Sequence, residues 1–326
     1  MKKIVCVEAA PFSAFSPTQM DRLKSRDDIV VHDCRKRKSE DDPDFREKMK
    51  AAEIIIAGNV VQFTREAFKE LPNLKIIPKL GVGLDMIDIP AATDAGVMIC
   101  NSPGVNDVAV AEHTFALLLG HLRQVIRCDR GMREGLWEQT AIIGSEICGK
   151  TMGIVGMGAI GRAVARRGVG FEARVIGYDP FWPEEFAKQF GIVRKSLEDL
   201  LAESDYVCIH CPLLPETRNL IGKKQIEMMK PTALLVNMAR GGIVDDDALF
   251  EALTTKRIVG AVLDAFAEEP PTNLPFVKLD NVILSPHNGA FSLDAMERMS
   301  ERVVDQAFDY LDGKTPKNLR NPEAVR

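Results

Sequence analysis

The sequence predicts an α/β protein of two doubly wound domains. Three observations carry that prediction. Its 326 residues suffice, at roughly 100 to 200 residues per domain, for two buried cores. Short apolar runs alternate with helix-period stretches almost from end to end, the pattern of parallel sheets built from βα units. A glycine cluster, Gly156, Gly158 and Gly161, stands between one apolar run and one helical stretch. With 46% hydrophobic and 27% charged residues the chain has the composition of a water-soluble globular protein, neither disordered nor fibrous.

Taken in order, the first strands are expected at Ile4 to Glu8, Ile29 to His32, Ile54 to Ala57, Leu74 to Ile77 and Val97 to Cys100. Helices fall between them at Pro17 to Ser25, Asp44 to Lys50, Thr64 to Leu71 and Pro90 to Ala95. Val108 to Arg127 reads as one long Ala- and Leu-rich helix, entered after the turn-forming Asn101-Ser102-Pro103-Gly104, and it bridges to the second series.

That series runs through strands at Met152 to Val155, Arg174 to Tyr178, Tyr206 to His210, Ala233 to Val236, Ile258 to Leu263 and Val282 to Leu284. A last helix, Leu293 to Leu311, follows Asn288-Gly289 and has no strand of its own, so it must pack on something already built, and the first domain is the candidate. The expected division is therefore 1–103 with 291–326 as one domain and 104–290 as the other.

Lys plus Arg number 42 and Asp plus Glu 47, a net charge of −5, with no basic run longer than Arg35 to Lys38. Nucleic acid needs a concentrated positive footprint, which is missing, so no nucleic-acid partner is expected. Apolar runs such as Ile54 to Ala57 are far shorter than the roughly 20 residues that cross a bilayer, and no membrane span is expected. The start meets Glu8 too soon to hold the apolar stretch of a secretory signal. Seven cysteines, an odd number in scattered apolar surroundings, favour free thiols in a reducing cytoplasm.

Gly156-Met157-Gly158-Ala159-Ile160-Gly161 is the densest signal. A G-x-G-x-x-G string alone is weak, but this one follows a strand and opens a helix. The next strand ends in Asp179, 18 residues past Gly161, where an acid can bind both hydroxyls of a ribose. Gly156 permits the turn, Gly158 lets backbone reach a pyrophosphate and Gly161 lets the helix approach the strand. The helix start, at Ala159 and Ile160, favours the negative phosphates. This is a Rossmann fingerprint. Pro180, Phe181 and Trp182 follow Asp179 with no Arg or Lys to meet a 2′-phosphate, so the cofactor expected is NAD rather than NADP.

From Asn101 onward further motifs occur in a fixed order: Val110-Ala111-Glu112-His113, Pro212-Leu213-Leu214-Pro215-Glu216-Thr217-Arg218, Asn237-Met238-Ala239-Arg240-Gly241-Gly242, Leu263-Asp264-Ala265-Phe266 with Glu268-Glu269-Pro270, and Ser285-Pro286-His287. Together with the earlier Leu80-Gly81-Val82-Gly83-Leu84-Asp85, their order and spacing resemble the D-isomer-specific 2-hydroxyacid dehydrogenases over nearly the whole chain.

The resemblance implies a Rossmann NAD-binding domain and a flavodoxin-like substrate domain with a cleft between them, a homodimer, and reversible hydride transfer between NAD(H) and a D-2-hydroxy acid or 2-keto acid. It also implies a catalytic set of Arg240, Glu269 and His287. The residue types suit the chemistry: a base near neutral pH takes the hydroxyl proton, a carboxylate orients it, and a planar guanidinium fork holds the substrate carboxylate. Cys211, Pro212, Thr217, Ala239 and Asp264 would line the cofactor by the same resemblance, and Val82, Gly83 and Lys79 the substrate.

Alternatives stay open at this level. Glu268 is an adjacent rival for the role of Glu269. Phosphoglycerate dehydrogenases usually carry Arg-Ser where this chain has Gly58-Asn59, and no amino-acid-binding tail is expected beyond Arg326, so 3-phosphoglycerate dehydrogenase proper remains a second reading. A dinucleotide-sensing corepressor-like binding protein is a third. Cys208-Ile209-His210-Cys211 has C-x-x-C spacing but ends a strand instead of opening a helix, so neither a redox nor a metal role is expected, and His113 and His210 are read as packing residues.

Overall fold

The structure, a computed structural model, describes residues 2–15, 17–36, 39, 41–137 and 142–325. Arg37 and Lys38 of the basic run lie outside them. The chain folds into two compact units, Met1–Asn106 with Phe291–Arg326, and Asp107–Ala290.

The first unit carries β1 (Lys3–Val7), α1 (Thr18–Lys24), β2 (Ile29–Asp33), α2 (Pro43–Ala51), β3 (Ile54–Ile56), α3 (Arg65–Glu70), β4 (Ile76–Pro78), α4 (Ile89–Asp94) and β5 (Met98–Cys100). All neighbours run parallel in the order β2-β1-β3-β4-β5, a doubly wound, flavodoxin-like sheet. Its middle strands are apolar without alternation because both faces are covered, and Ile54, Ile55, Ile56, Ile76 and Ile77 are fully buried. Asp42, Thr64 and Asp88 cap their helices by accepting the N–H groups of Asp44, Ala67 and Ala91.

The last helix of the chain belongs to this unit. It covers Leu293–Leu311, is capped by Ser292, and packs across β4 and α1, where Arg22 pairs with Asp305 at 2.9 Å. Gln306, fully buried, donates to the carbonyls of Asn101 and Lys317. The tail beyond it lies along the free edge of β5, with Asn321 accepting the Ile99 N–H and donating to the Val97 carbonyl. The helix expected to lack a sheet partner thus buries its apolar face on the first unit.

The second unit begins with α5 (Asp107–Leu122) and α6 (Val125–Arg133). It continues through β6 (Thr151–Val155), α7 (Ala159–Gly170), β7 (Arg174–Tyr178), α8 (Glu184–Phe190), β8 (Val193–Arg194), α9 (Leu197–Glu203) and β9 (Tyr206–Ile209). It ends with α10 (Lys223–Met228), β10 (Leu234–Asn237), α11 (Asp246–Thr254), β11 (Gly260–Leu263) and β12 (Val282–Leu284). The parallel sheet has the order β12-β11-β10-β9-β6-β7-β8, so the chain reverses its winding between β6 and β9. That crevice at the carboxyl ends of the strands is where open α/β sheets bind ligands.

Two expectations are corrected. The long helix at Val108 to Arg127 is two helices, because Gln124 adopts a left-handed conformation (φ 53°) and its side chain caps the His121 carbonyl at 2.9 Å. No residue of α6 is buried, so no core burial holds the pair in one continuous helix. The edge strand β8 was not expected: two residues, both exposed, carry no periodicity to read.

Candidate active site

Residues from six strand ends of the second unit line the carboxyl edge of its sheet, from β12 at one side through the β6–β9 crevice to β7. The glycine loop follows β6. Gly156 has φ 96°, and a Cβ there would stand 2.5 Å from the Cys211 nitrogen, so only glycine fits between β6 and the turn after β9. Gly158, immediately before α7, has open space where its Cβ would be. The first N–H groups of a helix have no partner within it, so backbone donors at the start of α7 face a cradle that a larger residue would fill. Asp179, just past β7, is held by two backbone donors: Met157 N–H at 2.6 Å and Phe181 N–H at 2.7 Å. The residues present therefore fit a dinucleotide.

After β9 the chain turns through Cys211 and Pro212. The Thr217 hydroxyl closes this turn, accepting the Leu214 N–H at 2.7 Å and donating to the Pro212 carbonyl at 2.6 Å. Burial pushes the Cys208 thiol up to about 12 and the Cys211 thiol up to about 11, which holds both in the protonated form. Burial also drives His210 down to about 3, leaving it neutral.

After β10, buried Asn237 builds the corner that presents Arg240. Its amide donates to the Arg240 carbonyl at 2.9 Å and its oxygen accepts the Ala239 N–H at 3.1 Å. Sequence reasoning missed this role, although Asn237 opens the motif that contains Arg240. The Arg240 guanidinium donates to the Ala239 carbonyl at 2.7 Å.

After β11 the two adjacent acids separate. Glu269 accepts the Phe266 N–H at 2.9 Å through Oε1 and lies 2.6 Å from His287 Nδ1 through Oε2. Glu268 turns instead to the Thr272 hydroxyl at 2.7 Å. Burial pushes the Glu269 carboxyl up, but the bonds from His287 and Phe266 and the charges of His287 and Arg240 prevail, so it lies below the usual carboxylate range and is ionised at neutral pH. His287, after β12, has a left-handed backbone (φ 55°), uncommon for a non-glycine residue, and its side chain is 34% exposed. One imidazole nitrogen is thus tied to Glu269 while the ring remains open to solvent.

Asp264 was expected to line the cofactor. Within the chain its carboxylate accepts Asn288 N–H at 2.8 Å and Gly289 N–H at 2.9 Å and lies 3.6 Å from His113 Nε2, with the side chain 3% exposed. Burial raises this carboxyl, yet the hydrogen bonds of His113, Ser285, Asn288 and Gly289 outweigh it and keep it ionised. It fixes the loop that carries His287. His113 joins the same network through the Ser285 hydroxyl at 2.9 Å, beyond the packing role the sequence assigned it.

In the first unit, Gly81 has φ 132°, and the loop is pinned by the Ser102 N–H to the Gly81 carbonyl at 2.8 Å and by the Asn101 amide to the Val82 carbonyl at 2.7 Å. Val82 is exposed and Gly83 partly so. Lys79, expected to touch substrate, is 1% exposed, and its ammonium donates to Asn59 Oδ1 at 2.5 Å and to the Leu80 carbonyl at 3.2 Å. A buried ammonium must be satisfied internally, and here its partners include the segment after β3 and the loop itself.

Residues 115–289 match the family described as "D-isomer specific 2-hydroxyacid dehydrogenase, NAD binding domain". The chain belongs to that family. Its second unit is accordingly the NAD-binding domain of a D-2-hydroxyacid dehydrogenase. The sequence is 41% identical to the glyoxylate reductase of Korarchaeum cryptofilum over 86% of each chain. It is 38% identical to the D-3-phosphoglycerate dehydrogenase of Methanocaldococcus jannaschii over 84% of this chain and 53% of that one, so it spans about half the length of that relative. Among solved structures, the D-lactate dehydrogenase from Aquifex aeolicus complexed with NAD and lactic acid is similar at a TM-score of 0.85 and 28% identity, over 98% of this chain and 99% of that one. Among the described residues of the chain there is no cluster that could hold a metal ion, and no helix is long and apolar enough to cross a membrane.

Proposed function

We propose that the protein catalyses reversible hydride transfer between NAD(H) and a small D-2-hydroxy acid or 2-keto acid. The observation that carries this reading is the 2.6 Å bond between His287 Nδ1 and Glu269 Oε2 at the carboxyl ends of the strands of an NAD-binding domain. The glycine loop and Asp179 would hold NAD, whose nicotinamide, when bound, accepts or returns a hydride. His287 takes the hydroxyl proton in oxidation and returns it to the keto oxygen in reduction. Glu269 fixes the ring and stabilises its charged form, as a carboxylate does beside a catalytic imidazole. Arg240 holds the substrate carboxylate and polarises the keto oxygen with its planar donor fork.

An unphosphorylated substrate is favoured over 3-phosphoglycerate. Lys79 is buried, and at Gly58 a Cβ would meet the Ala9 Cα at 3.1 Å, so the segment after β3 has little room for a phosphate-reading side chain. NADH oxidation should be measured with glyoxylate, hydroxypyruvate, its phosphate, pyruvate and branched-chain 2-keto acids. Turnover of the small unphosphorylated acids is expected. Absence of turnover with every acid, together with intact NADH binding, would favour a dinucleotide-sensing protein.

A homodimer accords with the apolar side chains that α6 and the segment after it expose: Val125, Ile126, Met132, Leu136, Trp137 and Ile143. Light scattering should give twice the mass of the chain. A cytoplasmic site accords with seven free cysteines, of which Cys6, Cys34, Cys100 and Cys208 are buried.

A further inference from the structure

The edge strand β8 brings to Asp179 a cation that the residues following Asp179 do not supply. β8 pairs Arg194 with Gly177, two positions before the acid, and the Lys195 N–H continues the ladder to the Gly177 carbonyl at 2.9 Å. Asp179 and Pro180 on one side and Arg194, Lys195 and Ser196 on the other line an open depression of about 690 Å³.

The two cations there differ. Lys195 is committed, its ammonium 2.6 Å from Glu203, which also holds Arg174. Arg194 is exposed and has no carboxylate partner among the described residues. Its guanidinium lies 5.8 Å from the centre of the Trp182 ring and makes one long bond, 3.4 Å, to the main-chain oxygen of Asp179. Trp182 is itself seated against Gly177, where a Cβ would approach the ring to 3.0 Å. The arginine therefore stands on a fixed aromatic support with most of its donors unspent. Asp179 is fixed too, since both carboxylate oxygens accept backbone N–H groups, and it cannot swing aside for an anion.

We propose that Arg194 is a specificity-determining residue at the adenosine end of the cofactor site, a donor fork positioned for a 2′-phosphate that Asp179 alone keeps out. This rests on the dinucleotide reading of the glycine loop and adds to it. A guanidinium is the side chain suited to a phosphate, and a fixed carboxylate in the same depression repels that phosphate. NAD preference is then the work of one charge, and removing that charge should open the site to NADP(H) with no new arginine installed.

The test is NADH and NADPH binding to the full chain, followed by nicotinamide fluorescence, in the parent, Asp179→Asn and Asp179→Asn/Arg194→Ala. Asparagine keeps a side-chain oxygen for a backbone N–H, so the glycine loop retains a tether. Asp179→Asn should bind NADPH at least tenfold more tightly than the parent, and the double variant should lose most of that gain. An equal gain in the two variants, or no gain in Asp179→Asn while NADH still binds, would overturn the proposal. Failure of the parent to bind either dinucleotide would overturn the dinucleotide reading and this proposal with it.

Discussion

His287 Nδ1 and Glu269 Oε2 lie 2.6 Å apart, while the neighbouring Glu268 bonds to Thr272. Only one of two adjacent acids therefore acts on the imidazole, and this can be measured. The Glu269 carboxyl lies below its usual range, so it remains an anion at every pH above that range. The bond and charge of His287 are among the causes of that depression, the interaction is mutual, and in the proposed mechanism keto-acid reduction draws on a proton carried by the imidazole. In Glu269→Gln, reduction should fall off at a lower pH than in the parent, and oxidation of the hydroxy acid should extend toward lower pH. Glu268→Gln should keep the parent's pH–rate profiles. A shift in Glu268→Gln in place of Glu269→Gln would reverse the assignment.

Arg240→Lys keeps the charge at the corner after β10 and loses the paired donors. KM for the keto acid should rise and kcat should fall, together about a hundredfold or more in kcat/KM, the effect of about 3 kcal/mol in transition-state binding. NADH binding by fluorescence should stay within about twofold of the parent. An equal loss of NADH binding would make Arg240 a structural residue.

Asp264 holds the His287 loop by two backbone N–H groups at 2.8 and 2.9 Å. Its pKa is depressed, so its contribution to stability is fully present above the ordinary carboxylate value of 3.8 and is lost as pH falls through the lower folded value. Asp264→Asn can satisfy one of the two donors and presents its own N–H₂ to the other. Chemical denaturation at pH 7 should show a loss of about 2 kcal/mol, the size of a charged hydrogen bond, and the difference from the parent should shrink in acid. A variant as stable as the parent at pH 7 would show that the loop is held by other means.

Lys79 is buried among carbonyl and amide oxygens. Lys79→Met fills much the same volume and leaves those acceptors without their donor, at a cost of about 1 to 3 kcal/mol. Tm should drop, and kcat/KM should fall by the same factor for hydroxypyruvate and for its phosphate. A selective loss of the phosphorylated substrate would show that Lys79 reads phosphate directly.

The two parallel sheets, and the glycine loop with Asp179 at the end of the next strand, were legible in the amino-acid order. These are local properties: apolar runs, helix-period stretches and turn residues repeat within a few positions and are readable without a partner. The lone final helix was legible for the same reason, since an amphipathic stretch with no strand after it has to cover an existing sheet. Tertiary structure alone decided the rest. Glu269 over Glu268, Asp264 on the loop of Asn288 and Gly289, and Lys79 beneath its own loop all depend on which distant segments the sheet order brings side by side. The same holds for Arg194, carried to Asp179 by a two-residue strand with no periodic signal. Side-chain partnership across strand ends follows from register and burial, and neither is written in the local pattern of either segment.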